Sequence, residues 1–109
     1  MKTKKVPSLI GKPVIVRATV AGVHCGILAQ LDPATQTATL TNACRLWRWY
    51  TRDKTGSISD VARHGLKPDA EHSIGAKLAS VVIVSPQGLE IAETTQAAYE
   101  SVLALAATA

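Results

Sequence analysis

"PVIVRATVAGVHCGILAQLD", residues 13–32, decides the fold class. Val14, Val16, Ala18 and Val20 alternate with Ile15, Arg17 and Thr19, the two-residue period of a strand, and the β-branched content favours extended backbone. The even positions face a core and the Arg17 side is partly wet, although both faces are apolar at the start. Gly22 permits a turn. After it, Val23, Cys25, Ile27, Ala29 and Leu31 share one side, and His24, Gly26, Leu28 and Gln30 share the other. The stretch therefore reads as a β-hairpin.

Working outward, Asp32-Pro33-Ala34-Thr35 has turn chemistry, with Asp suited to the first position and Pro to the second. QTATLTN (36–42) follows as a third strand, Ala38 and Leu40 inward and Thr37, Thr39 and Thr41 outward. Asn42 begins a corner, and 45–50 forms a fourth strand. Its alternation sets Arg45, Trp47 and Trp49 on one face and Leu46, Arg48 and Tyr50 on the other. TRDKTG is a polar loop. Ser57 is placed as an N-cap with Asp60 three residues on, and Gly65 as the residue after the last turn, so 57–64 reads as a short helix. Residues 67–73 read as loop. SVVIV (80–84) and LEIAE (89–93), separated by Ser85-Pro86-Gln87-Gly88, predict a second hairpin. TTQAAYESVLALAATA (94–109) is strongly helix-forming, capped by Thr94 or Thr95, with Ala98, Val102 and Leu105 along one stripe and Tyr99 and Leu103 beside it. The expectation is an α+β fold: a small, mainly antiparallel sheet or partly open barrel of about six strands, with one short helix and a C-terminal helix.

A chain of 109 residues suits one compact core. Residues 1–12 are expected to form a flexible basic segment and 13–109 a single domain. No run approaches the roughly 18 uninterrupted apolar residues of a membrane helix, so no membrane association is expected. The basic start MKTKKVPSLIGKP has a short apolar run broken by Gly11 and Pro13, unlike a signal peptide, and the expected location is the cytoplasm. Cys25 and Cys44 are too few for a disulfide framework and too far apart for a redox Cys-x-x-Cys motif, so buried free thiols are expected. Charge is uneven. Residues 1–54 carry nine Lys or Arg against Asp32 and Asp53, giving +7, while residues 55–109 carry three against six acids, giving −3. The positive field of the first half attracts anions of any kind.

Three of the four aromatic residues lie within Trp47 to Tyr50, interleaved with Arg45, Arg48 and Arg52. Flat π surfaces flanked by guanidinium groups suit a base that stacks and a phosphate that pairs bidentately. The competing reading makes the Trp pair core, with the arginines stacked on ring faces. GVHCG (22–26) sets two glycines around His24 and Cys25, allowing another backbone or a ligand to approach closely. His24 and Cys25 point to opposite faces and cannot act as a nucleophile pair. His24, Cys44, His64 and His72 lack the short spacing of a structural zinc site, and no cofactor is expected. The carboxylates are scattered, and neither a Walker loop nor a dinucleotide fingerprint is present, so no enzyme activity is expected.

VRATVAGVHCGIL, LTNACRLWRW, SISDVARHG and VVIVSPQGLEIAETTQAA together resemble a family of small phage and prophage proteins of unknown function. Its members run from "GVHxG" through "LxNARxxWxW" to "SxSxxAxxG", and the similarity spans residues 14 to 98 or so. Cys44, where an arginine-type residue is commoner, and the longer YTRDKTG loop depart from the pattern. The resemblance implies a phage accessory protein in a bacterial host cell. By analogy of layout it is similar to sponges that sequester nucleotide immune signals, such as the Thoeris anti-defence family. The leading expectation is a non-enzymatic, homo-oligomeric protein binding a small nucleotide-like anion through Arg45, Trp47, Arg48, Trp49, Arg52 and His24. The alternatives are a nucleic-acid-binding module, or a protein-binding inhibitor or structural subunit whose aromatics are buried in an interface.

Overall fold

Strands β1 (Pro13–Ala18) and β2 (Gly22–Asp32) form the expected antiparallel hairpin, with Val16 opposite His24. The computed structural model describes residues 8–19, 21–49, 51, 57–67 and 72–106. β3 (Thr37–Arg48) follows through the Asp32–Gln36 turn, in which the Asp32 carboxylate accepts from the Ala34 N–H at 3.0 Å. The remaining elements are α1 (Ile58–His64), β4 (Ser73–Ile74), β5 (Leu78–Val84), β6 (Leu89–Glu93) and α2 (Gln96–Ala106). Among the described residues no helix is long and apolar enough to cross a membrane.

The sheet runs β4-β3-β2-β1-β6, and β5 also pairs with β3, all neighbours antiparallel. β4 and β5 succeed one another along the same side of β3. This corrects two expectations. The third and fourth strands are one strand of 12 residues, and 80–84 does not pair with 89–93, because β5 lies on β3 and β6 on β1. The residues between them still make a turn, with the Gly88 N–H donating to Ser85 O at 2.9 Å.

That turn dictates the shape of the sheet. Val84 pairs at the Thr37 end of β3, whereas Leu89 pairs at the Ala18 end of β1, so the turn joins diagonally opposite corners. A flat five-strand sheet would hold its outer strands about 19 Å apart before any offset along the strands is added. A β-turn with one residue on either side spans at most about 15 Å. The sheet must coil. The coiled face encloses Val14, Val16, Leu28, Ala38, Leu40 and Ile83, with Leu89 and Ile91 packed against them and no helix among them. The opposite face puts Ile15, Cys25, Cys44 and Leu46 beneath Val61, Tyr99 and Val102 of the two helices. The sheet is not closed, since β5 and β6 form no ladder.

Asn42 is the hinge between the two faces. With φ 46° it occupies the left-handed region, and the register steps from Cys25↔Cys44 to Ile27↔Thr41, so Asn42 and Ala43 together oppose Gly26. One extra residue reverses the alternation. Ala38 and Leu40 face the inner cluster before the bulge, and Cys44 and Leu46 face the helices after it. Helix α2 reads this corner directly, because the Tyr99 hydroxyl donates to Asn42 O at 2.8 Å. Tyr99→Phe is expected to cost about 1 to 2 kcal/mol, the worth of a part-buried hydrogen bond whose acceptor is left unpaired. Urea unfolding measures it, and an unchanged midpoint would remove Tyr99 as the tie between helix and bulge.

Candidate functional site

Directly opposed residues in an antiparallel pair share a face, as do residues two apart along a strand. His24 stands opposite Arg45, so His24, Arg45 and Trp47 share one face at the C-terminal end of β3. The Arg45 guanidinium carbon lies 3.6 Å from the centroid of the Trp47 ring, a cation–π contact. Behind it stands Gly22, where a β-carbon would come within 2.8 Å of Arg45 Nη2. The guanidinium therefore sits between a bare stretch of main chain and an indole. Trp47 nevertheless remains 62% exposed, so much of its ring surface is open to solvent.

Beneath this pair His24 is buried, and neither its Nδ1 nor Arg45 Nε has a hydrogen-bond partner. Burial, and then the neighbouring Arg45 charge, pulls His24 below the ordinary imidazole range of 6.5. The folded state thus prefers the neutral ring. Stability from this group is present above pH 6.5 and is lost as pH falls below it, because the unfolded chain takes up the proton first. His24→Leu, which keeps an apolar neighbour for Val16, is expected to flatten this acid limb. The readout is the urea midpoint as a function of pH, and a His24→Leu profile that parallels the parent would contradict the assignment.

The structure separates residues that strand alternation had placed together. Trp49 lies beyond the end of β3 and is half-buried against the helix-side cluster, with Trp47 on the other face. The cause is a second irregularity, between Leu46 and Arg48, where β3 pairs with β4. The core reading thus fits Trp49, and the accessible reading fits Trp47. Arg48 is exposed and opposite Ser73. Arg52 and Tyr50 lie outside the described residues, as do the lysines at positions 2, 4 and 5.

Among the described residues the charge around the site is positive. Arg17 pairs with Glu90 at 2.6 Å and Lys12 with Glu93 at 3.7 Å, so two of the cations on β1 and just before it are matched by β6. Among the described residues no carboxylate pairs with Arg45 or Arg48. Three of the open clefts among the described residues do not include Trp47. One, of about 470 Å³, is lined by Arg17, Ala18, Gln87 and Glu90, among others. It adjoins the platform through Ala18, which pairs with Gly22.

The sequence reading missed one juxtaposition. Cys25 and Cys44, 19 positions apart in the chain, are directly opposed in the ladder and fully buried as free thiols. Burial pushes both thiols up, Cys44 to about 11. Only the bulge register brings them together, and no local spacing encodes it. The two glycines of GVHCG do admit close approaches, with the Arg45 side chain lying on Gly22 and Ala43 on Gly26.

No curated protein and no solved structure matches the chain. A family described as a domain of unknown function, DUF6948, matches it over residues 11–102, from before β1 to within α2, and the chain belongs to that family.

Proposed function

We propose that this chain is a non-catalytic binding protein whose Trp47 platform takes a nucleotide-like anion. A base or similar flat ring stacks on the open indole, and Arg45 and Arg48 meet its phosphate. The observation that carries this reading is the guanidinium-backed indole left 62% exposed. Leaving a large ring in water forgoes the burial that makes tryptophan useful to a fold, and stacking one base on an aromatic returns about 1 to 3 kcal/mol. Binding requires no nucleophile. The buried thiols nearby, held protonated at neutral pH, are poor ones.

The resemblance to phage proteins supplies the context: an accessory protein that sequesters a nucleotide-type defence signal in the cytoplasm of a bacterial host. A second reading, single-stranded nucleic acid, is favoured by the openness of the platform. The indole stands 62% exposed, whereas a sequestered small ligand typically lies in a concavity that takes up most of its surface. An extended strand needs only a stacking plane and flanking cations.

Titration of the full chain with cyclic nucleotides, ADP-ribose derivatives and short oligonucleotides, followed by melting temperature and indole fluorescence, tests both. Trp47→Ala is expected to weaken binding about 5- to 150-fold, the range that follows from the loss of one stack. Trp49→Phe should leave binding intact. A steep log–log dependence of affinity on salt identifies the nucleic-acid reading. If none of these compounds changes melting or fluorescence, both readings fail.

A further inference from the structure

The two edges of the sheet are treated differently. β6 presents Glu90 and Glu93, each paired with a cation near or on β1, and charges of this kind discourage a sheet edge from adding another strand. β5 pairs with β3 on one side, and among the described residues no strand pairs with its other side. Among the described residues it carries neither charge nor proline, two of the usual protections of an edge. No charged residue occurs between Lys77 and Glu90, and no proline before Pro86. Its outer face instead carries three of the large exposed hydrophobic side chains, Leu78 at 52%, Val82 at 60% and Val84 at 58%. Beside them on β3 runs a row of threonines, Thr37 opposite Val84 and Thr39 opposite Val82.

We propose that β5 is a self-association edge: a second copy of this chain adds its own β5 antiparallel to the first, and the sheet continues across a two-fold axis at Val81. The strand is complementary to itself in that register. Leu78 falls opposite the partner's Val84, Ser80 opposite the partner's Val82, and Ala79 opposite the partner's Ile83. All seven residues of β5 overlap. Period-two alternation keeps the three exposed side chains of each copy on one face, so they form a continuous apolar stripe. The absence of charge matters most for a second copy, since any charged side chain on this edge would recur close to itself across the axis. A two-fold contact of this kind is isologous and closed, so it ends at the dimer. A single strand edge lies at the small end of specific interfaces, and the dimer accordingly forms and dissociates with concentration.

The test is the mass of the full chain in solution by sedimentation equilibrium, from micromolar to submillimolar concentration. The expected mass rises from 11.5 kDa to twice that value. Val82→Lys, on a side chain already in solvent, is expected to weaken the dimer at least about tenfold, because both copies then carry an ammonium group into the contact. Ser59→Lys on α1 should leave the mass unchanged. Hydrogen exchange provides a second measurement, with protection of β5 amides increasing with protein concentration while protection of β6 amides does not. A monomer at every concentration, a dimer that Val82→Lys leaves intact, or concentration-independent exchange in β5 would each overturn the proposal. None of these readouts involves a nucleotide, so the outcome is separate from that of the Trp47 platform.

Discussion

Gly26→Ala is expected to destabilise the protein by about 3 kcal/mol and to lower its melting temperature by roughly 10 °C or more. A β-carbon at position 26 would stand 2.6 Å from Ala43 Cβ and 3.1 Å from both Ala43 Cα and Thr41 O. These are main-chain and near-main-chain atoms of β3, whose pairing with β2 is the most extensive in the sheet, and Ala43 is fully buried. No flexible side chain can give way. The crowding comes from the bulge, which sets Asn42 and Ala43 against Gly26 alone, so the space a side chain would need is taken by the extra residue. Removing the opposing methyl group isolates the cause. Ala43→Gly in the Gly26→Ala background should recover more than half of the loss, and a double-mutant cycle should give a coupling of about 1 kcal/mol or more. Additive effects of the two changes would place the damage elsewhere.

Gly65→Ala is expected to cost still more, about 3 to 5 kcal/mol, from two separable sources. Gly65 ends α1 with φ 79° and ψ −167°, a region open almost only to glycine, and its N–H donates to Val61 O at 2.8 Å. Forcing alanine into that conformation accounts for about 1 to 3 kcal/mol. The remainder is steric. A β-carbon there would collide with Ser101 Oγ and lie 3.3 Å from Ala98 Cα, at the point where the two helices meet. Ser101 has no free rotation to offer, since its hydroxyl donates to Ala98 O at 2.7 Å and accepts from the Leu66 N–H at 3.4 Å. In a Ser101→Gly background the steric part should shrink to the Ala98 contact and the backbone part remain. Thermal melts of the four proteins decide it. A Gly65→Ala change that costs nothing once Ser101 is glycine would show that the backbone conformation carries no strain.

Several features of this fold are readable from neighbouring residues. The alternation of 13–18 and 22–32 gives two strands, and the first strand is apolar on both faces, as its two buried sides require. Ser57 caps α1 by accepting from the Ser59 N–H at 3.1 Å, and Thr95 caps α2 by accepting from the Ala98 N–H at 3.1 Å. Hydroxyl caps act within one turn of chain, and so are visible in the sequence. The site is legible in the same limited way. Arg45 and Trp47 are two apart on a strand, and period two alone puts them on one face.

What the amino-acid order determined by itself was therefore the first hairpin, the two helices and their caps, the α+β class, and the Arg45–Trp47 pair. Only the tertiary structure decided that β5 pairs with β3 and β6 with β1 at opposite edges of a coiled sheet, and that Trp49 joins the helix-side core while Trp47 stays in solvent. The physical reason is range. Turns, caps and alternation depend on residues a few positions apart. The pairing of a strand depends on which distant edge offers it both hydrogen bonds and apolar cover. A single left-handed Asn42 then reverses the facing of β3 as far as the second irregularity, between Leu46 and Arg48, a change of phase that no local pattern announces.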